Sequence, residues 1–167
     1  ALRWREKLKE ATKIIVVLPF LSIIEQTEKV YRELLGKEVQ GSSILSFHSL
    51  SQRDYQNDDI PSIDDNEAEF YFDTWRSEII ITTYDQLLLA LMSPKGRHQI
   101  RMHQLCDALI ILDEIQSLPC ELWDPFHQML RALSVEGNSR ILAMSATLPT
   151  VLKDAIALIS PSEQERY

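Results

Sequence analysis

The fold of this chain is decided by residues 109–116, LIILDEIQ, where a continuous apolar run ends in two adjacent carboxylates. Unbroken apolar runs of this length are typical of parallel strands that helices cover on both faces. Ligands of such sheets bind at the carboxyl ends of the strands, which is where Asp113 and Glu114 would lie. Magnesium keeps several waters and takes one or two protein carboxylates together with phosphate oxygens. The stretch therefore predicts a buried parallel strand that delivers two acids to a nucleotide-bound magnesium ion.

The alternative explanation for these acids is that a strand entering a solvated loop often ends in Asp or Glu. A second apolar run favours the functional interpretation, because RILAM at 140–144 leads directly into SATLP at 145–149. Two strands that end in polar groups of this kind are typical of one class of enzymes.

Strands and helices alternate along the rest of the chain. Apolar runs predict strands at 13–18, 43–48 and 78–83, and helical periodicity predicts helices at 1–11, 21–35, 85–92, 124–132 and after Thr150. A capping box, SIIE at 22–25, marks the start of the second helix, and Asp124 followed by Pro125 marks the start of the fourth. This alternation predicts an α/β fold with a doubly wound sheet.

Composition and length are those of an ordinary globular domain. The 167 residues are 45% hydrophobic and 25% charged, enough for one domain with a substantial core. No apolar stretch has membrane-spanning length, and no signal-peptide pattern opens the sequence. Cys106 and Cys120 form neither a disulfide framework nor a metal spacing, which is typical of a reducing cytoplasm.

The net charge of -8 is concentrated in one region. Residues 51–80 contain nine acidic and two basic residues, whereas the rest of the chain is nearly neutral. The segment 52–69 lacks periodicity, and we expect it to be a mobile acidic insertion within a single domain. This acidity does not exclude nucleic-acid binding, but it argues against a strongly basic binding face.

The two strand ends together resemble the first RecA-like domain of the superfamily 2 helicases, the DEAD/DEAH-type nucleic-acid motors. DEIQ at 113–116 matches motif II, the Walker B box, and SAT at 145–147 matches motif III. The longer strings at 113–119 and 144–149 resemble the helicase part of the CRISPR-associated helicase–nuclease of type I interference systems. The resemblance extends from about Ile14 to Pro149 and implies a RecA-like, three-layer P-loop NTPase fold with a mainly parallel sheet.

The resemblance also implies roles for the residues of both boxes. Asp113 would hold a water-bound Mg²⁺ ion of ATP, and Glu114 would activate the hydrolytic water. Ser145 and Thr147 would relay the nucleotide state to the nucleic-acid side, with Gln116 helping to connect the two. Gln116 departs from the Asp or His at the fourth position of the commonest DEAD and DEAH boxes. This departure weakens the case for a generic RNA helicase more than it weakens the case for hydrolysis.

Two further segments resemble motifs that contact nucleic acid. Pro19 and Phe20 follow the first strand as motif Ia does, where free amides at a helix N-terminus bind phosphate. The motif Ib region corresponds to Thr82, Thr83, Tyr84 and Gln86, with hydroxyls and amides that would contact phosphates. The alternatives are structural: a plain strand-to-helix turn in the first case, and a threonine-rich strand followed by a helix cap at Asp85 in the second.

Two parts of such a motor are not found in the sequence. A phosphate loop requires G-x-x-x-x-G-K-[ST], and only Gly36 of the four glycines precedes a lysine, with Glu38 next. The nuclease of this family carries adjacent His-Asp metal ligands, and none of the four histidines is followed by aspartate. We therefore expect a fragment that lacks the first strand, the phosphate loop, the nuclease and the second RecA-like domain, and that is inactive alone.

Three functions are consistent with these observations. The first is a fragment of an ATP-dependent single-stranded-DNA helicase of cytoplasmic CRISPR antiviral defence, which works with a CRISPR surveillance complex and feeds target DNA to an HD-type nuclease. The second is a related superfamily 2 translocase that acts on RNA or in repair. The third is a non-catalytic interaction module that keeps a helicase-like shell.

Overall fold

Five short parallel strands form one sheet in the part of the chain that the structure describes. The computed structural model describes residues 13–35, 44–47, 70, 73–146 and 155–156. The strands are β1 (Ile14–Leu18), β2 (Ile44–Phe47), β3 (Ile79–Thr83), β4 (Leu109–Leu112) and β5 (Arg140–Ala143). They lie in the order β2-β3-β1-β4-β5, and every neighbouring pair is parallel. All five predicted strands are confirmed to within one residue at each end.

Helices connect the strands and cover the sheet. They are α1 (Leu21–Leu35), α2 (Tyr84–Met92), the short α3 (Gly96–Gln99) and α4 (Trp123–Val135). Three single-turn 3-10 helices lie between α3 and α4, at Met102–Leu105, Ile115–Ser117 and Cys120–Leu122. The second of these begins directly after the two carboxylates, so the chain turns sharply at the end of β4.

The two faces of the sheet form two separate cores, because successive side chains of a strand point to opposite faces. On one face, alternate residues of the strands pack with α2 and α4, and this core includes Ile15, Val17, Ile110, Leu112, Leu87 and Phe126. On the other face, the intervening residues pack with α1, and this core includes Ile14, Val16, Leu109, Ile111 and Ile24. The predicted three-layer α/β fold is confirmed.

Two predicted helix caps are wrong. The structure begins α1 at Leu21, so Ser22 lies in its first turn and forms no capping box. The 3-10 turn before α4 runs directly into that helix, so Leu122 and not Asp124 precedes its first residue and no side chain caps it.

The ends of the chain and the acidic segment lie mostly outside the described residues. This holds for the predicted helix at 1–11, for the predicted insertion at 52–69 and for Thr147. Of the helix predicted after Thr150, only residues 155 and 156 are described; they are not helical, and Ile156 is 89% exposed. Within the ranges that the structure describes, no helix is long and apolar enough to cross a membrane.

Candidate nucleotide and nucleic-acid site

Asp113 is the first residue after β4 and is half-buried between two neighbouring elements. Its amide donates to the carbonyl oxygen of Val17 in β1 at 3.0 Å. Its own carbonyl oxygen accepts from the hydroxyl of Tyr84, at the start of α2, at 2.8 Å. The backbone of Asp113 is thus fixed on both sides, while the parallel sheet directs the residue to the ligand-binding edge expected for this fold.

Glu114 is exposed and has a left-handed backbone, with φ 50° and ψ 48°. This conformation costs a residue other than glycine roughly 1–2 kcal/mol. Hydrogen bonds on its C-terminal side hold it there: the Ser117 amide donates to the Glu114 carbonyl at 2.8 Å, and the Ile115 amide donates to the Met144 carbonyl at 3.3 Å. Backbone strain that neighbouring bonds maintain in this way is found most often at functional sites.

A chain of side-chain hydrogen bonds links the end of β4 to the end of β5. The amide nitrogen of Gln116 donates to Oε2 of Glu114. The amide oxygen of Gln116 accepts from the hydroxyl of Ser145. Glu114, Gln116 and Ser145, which the sequence grouped into two separate motifs, are therefore one connected constellation, with Gln116 in its middle. Thr147 lies outside the described residues.

The two threonines at the end of β3, just before α2, use their hydroxyls in hydrogen bonds within the domain. Thr82 is fully buried, and its hydroxyl donates to the carbonyl oxygen of Phe47 in β2 at 2.8 Å. Thr83 is also buried, and its hydroxyl caps α2 by accepting from the amide of Gln86 at 3.5 Å. The structural alternative given above for this segment therefore describes both hydroxyls, although the cap is Thr83 and not Asp85.

The other two residues of this segment also point inward. Tyr84 is 5% exposed, and its hydroxyl reaches Asp113 and not the surface. Burial, and after it the charges of Asp113 and Glu114, raise the pKa of this hydroxyl, so it remains a proton donor. The side-chain oxygen of Gln86 accepts from Arg101 at 3.1 Å. None of the four side chains lies free at the surface, because each closes a contact within the domain.

Pro19 and Phe20 differ from this segment because they lie at the surface. They follow β1 on the same edge of the sheet as Asp113, and Phe20 is 61% exposed. The carbonyl oxygen of Phe20 accepts from the Ile23 amide at 3.3 Å, within the first turn of α1. Among the predicted nucleic-acid contacts, this pair is the one whose surroundings leave a side chain open to solution.

Arg101 is a buried arginine that no pattern in the sequence singled out. Arg101 is 4% exposed, pairs with the carboxylate of Asp73 at 3.2 Å and donates to its carbonyl at 2.9 Å. Its guanidinium lies 4.1 Å from the ring centroid of Phe47 and 5.7 Å from that of Trp75. A basic residue shows no periodicity that distinguishes this environment from a loop, so the sequence held no signal for it.

His98 of α3 is buried beside the same arginine. Its Nδ1 lies 2.8 Å from the Ser93 hydroxyl, and its Nε2 accepts from the side chain of Arg97 at 3.2 Å. An accepting Nε2 carries no proton, so these contacts select the neutral imidazole. Burial, and then the positive charges of Arg97, Arg101 and Lys95, lower the pKa of His98, while the charge of Asp73 opposes them.

The acidic pair has the donor chemistry that Mg²⁺ bound to a nucleotide requires. Among the described residues there is no group of three or more His, Cys, Asp or Glu side chains that could hold a metal ion. Magnesium bound to nucleotide phosphates needs only one or two carboxylates and keeps its waters. Asp113, half-buried at a fixed strand end, and the exposed Glu114 satisfy that requirement.

Comparison with known proteins agrees with this geometry. The DEAD/DEAH box helicase family matches residues 1–155. The chain is 37% identical over 149 residues to the CRISPR-associated nuclease/helicase Cas3 of Haloferax volcanii, an alignment that covers 84% of this chain and 16% of that protein. The chain thus spans about a sixth of the length of this curated relative.

Solved structures show the same fold. The crystal structure of T. fusca Cas3 has a TM-score of 0.67 at 20% identity over 85% of this chain and 16% of that one. The T. fusca Cas3-ATP structure has a TM-score of 0.64 at 21% identity over 81% of this chain and 15% of that one. Together with the family match, the parallel sheet and the two acids at its carboxyl edge identify this chain as a member of the DEAD/DEAH box helicase family.

Proposed function

We propose that this chain is the motif Ia to motif III part of an ATP-dependent, CRISPR-associated helicase that translocates along single-stranded DNA. The observation that carries the proposal is the continuous link from Glu114 through Gln116 to Ser145. A nucleotide motor must connect the residue that acts on water with a segment that reports the nucleotide state. The similarity to Cas3 supports the CRISPR context.

In this proposal the two carboxylates have separate tasks. Asp113 would hold the magnesium ion of ATP, which would supply charge neutralisation at the phosphates. Glu114 orients and deprotonates the attacking water, for which its exposed position and fixed backbone suit it. In the described structure its carboxylate accepts from Gln116, so its orientation depends on a residue that also contacts Ser145. Ser145 and Thr147 would then respond to hydrolysis and change the contact with the strand.

The nucleic-acid contact is proposed at the carboxyl edge of the sheet, on the side of β1 and β3. Pro19 and Phe20 offer an exposed ring and the first turn of α1. For residues 82–86 the proposal is narrowed from side chains to backbone, because the hydroxyls of Thr82, Thr83 and Tyr84 all have partners inside the domain. Phosphate contacts of this kind position a strand without reading its sequence.

The wider context is proposed by similarity. The intact protein would act on target DNA in cytoplasmic antiviral defence, together with a CRISPR surveillance complex and an HD-type nuclease. Because the sequence contains no G-x-x-x-x-G-K-[ST] phosphate loop, we propose that this chain alone does not hydrolyse ATP. In this proposal another part of the intact protein would supply the cradle of amides and lysine that binds the phosphates.

The test is to substitute Glu114 by glutamine in the protein that carries this domain and to measure phosphate release with single-stranded DNA. Loss of a positioned base should lower turnover by ~10²–10⁴-fold and leave ATP binding intact. Glu121→Gln, at another exposed carboxylate close in the chain, is the matched control and should retain full turnover. Near-normal hydrolysis in the Glu114 variant would remove the residue from the mechanism. DNA-independent hydrolysis in the unsubstituted protein would contradict the motor function.

A further inference from the structure

Tyr84 is the first residue of α2, and its side chain reaches the peptide bond between Asp113 and Glu114. Its hydroxyl donates to the carbonyl oxygen of Asp113 at 2.8 Å. Its ring is buried and packs edge-on against Phe126 of α4, with 6.3 Å between the ring centroids. The phenol is therefore fixed at its ring by packing and at its oxygen by one hydrogen bond to the candidate site.

The hydrogen bond from Tyr84 to the Asp113 carbonyl fixes the orientation of one peptide plane. The carbonyl of Asp113 and the amide nitrogen of Glu114 belong to the same planar unit. The φ angle of Glu114 is the rotation of that residue relative to this plane, and it has the unfavourable left-handed value of 50°. A bond that fixes the Asp113 carbonyl therefore helps to hold the conformation of Glu114.

The remaining bonds around this peptide come from other elements of the sheet. The amide of Asp113 is held by Val17 of β1, and the amide of Ile115 is held by Met144 at the end of β5. Tyr84 adds the α2 side, so three neighbouring elements meet at the strained residue. Of the three contacts, only the one from Tyr84 is made by a side chain, and so only this one can be removed by substitution.

The opposite end of the connection lies in the segment proposed to approach the strand. Thr83 caps α2, and Thr82 is bonded to β2, so the junction of β3 and α2, which carries the phenol, is held in place. A displacement of the start of α2 must move the Tyr84 hydroxyl relative to Asp113. Among the described residues, no other side-chain hydrogen bond joins this junction to the acidic pair.

We propose that Tyr84 is a positioning residue for ATP hydrolysis, which links the nucleic-acid side of the domain to the Asp113–Glu114 peptide. The inference rests on the proposed function and deepens it by naming the route through which a bound strand would affect the carboxylates. The side chain of Tyr84 touches neither ATP nor the strand in this proposal, since the residue is 5% exposed and its hydroxyl is bonded to the Asp113 carbonyl.

The experiment compares Tyr84→Phe with Tyr31→Phe in the protein that carries this domain. Both tyrosines are at least half-buried, but Tyr31 lies on α1, on the opposite face of the sheet. The first readout is backbone hydrogen exchange at the amides of Asp113, Ile115 and Ser117. Loss of one hydrogen bond should accelerate their exchange about fivefold in Tyr84→Phe. Tyr31→Phe should leave it unchanged. Equal rates in Tyr84→Phe and the unsubstituted protein, or an equal rise in both variants, would overturn the positioning role.

The second readout is hydrolysis with and without single-stranded DNA. Tyr84→Phe should reduce the ratio of the stimulated to the unstimulated rate about fivefold, while the KM for ATP and the Kd for DNA stay within about twofold. Retention of the full ratio would refute the link. If the unsubstituted protein shows no stimulation, the proposed function fails, and the exchange measurement still decides whether Tyr84 positions the peptide.

Discussion

Residues 82–86 span the end of β3 and the start of α2, and residues 113–116 follow β4; both segments resemble helicase motifs, yet their polar side chains have different environments. In the first segment the hydroxyls of Thr82 and Thr83 close contacts within the domain. In the second, Glu114 is exposed and strained, and its side chain is joined to Gln116. A polar residue at a strand end is therefore a better functional candidate when it is exposed in a strained backbone conformation. It is a weaker candidate when its side chain is buried and hydrogen-bonded within the domain.

The largest contrast should come from the far end of the side-chain network. Ser145→Ala combined with Thr147→Ala removes the hydroxyl that donates to Gln116 but leaves both carboxylates in place. Coupling between two sites typically corresponds to about 5- to 150-fold, so unwinding should fall by that range while DNA-stimulated ATP hydrolysis falls by less than about threefold. Unwinding and phosphate release are measured on the same preparation. Equal loss of both activities, or loss of neither, would contradict a coupling role.

Thr82→Val should affect stability and not DNA binding. The side chain is nearly isosteric, but the buried hydrogen bond to the Phe47 carbonyl is lost, which costs about 1–2 kcal/mol. Thr27→Val, the same change at a half-buried position of α1, is the control. Urea unfolding and a fluorescence-anisotropy titration with single-stranded DNA measure the two quantities. A weakened DNA affinity at unchanged stability would restore Thr82 as a direct contact.

The pH dependence of the unfolding free energy should report on the buried side of the domain, through His98. The pKa of His98 is lowered in the folded state. Below the ordinary histidine pKa of about 6.5, the unfolded chain therefore binds more protons than the folded one. Stability from this residue is therefore fully present above about pH 6.5 and is lost as the pH falls below it. His98→Asn keeps a donor towards Ser93 and should flatten the slope of the unfolding free energy below about pH 6.5. His103→Asn, the same change at an exposed histidine, is the control.

The smallest expected effect tests the strain at Glu114. Glycine adopts a left-handed backbone without steric cost, but it loses more chain entropy on folding, so Glu114→Gly should stabilise the domain by a net ~0.5–1 kcal/mol. Glu114→Ala removes the same carboxylate and keeps the strain, so it should show no gain. Both variants should be inactive. Thermal unfolding of the pair isolates the backbone contribution, and identical melting temperatures would mean that the left-handed conformation carries no strain.

The sheet was predictable because its strands are continuous apolar runs that end at abrupt polar boundaries, as Leu112 and Asp113 illustrate. The acidic pair was predictable for the same reason, since a strand end in a parallel sheet has a defined place. The roles assigned to Asp113, Glu114, Gln116, Ser145 and Thr147 stay predictions, although Gln116 does lie between the two motifs that it was expected to connect.

Other features could not be predicted because their partners are distant in sequence. Thr82 is a good strand residue whether its hydroxyl faces solvent or, as here, the carbonyl of Phe47, 35 residues away. Tyr84 finds Asp113 across 29 positions. The local sequence pattern also fails to locate a helix cap. The 3-10 turn at Cys120–Leu122 runs directly into α4, so Leu122 precedes this helix in place of the expected Asp124.

The buried guanidinium of Arg101 has a consequence for how this domain can diverge. Its partners belong to three different parts of the chain: Phe47 in β2, Asp73 and Trp75 in the segment before β3, and Gln86 in α2. Removing one member of a buried ion pair leaves an uncompensated charge, whereas replacing the pair by apolar groups of similar volume is often neutral. We therefore expect the arginine and the aspartate to be lost together in evolution. Relatives that carry an apolar residue at position 101 should carry an uncharged one at position 73, and the two positions should covary more strongly than either does with its neighbours in sequence.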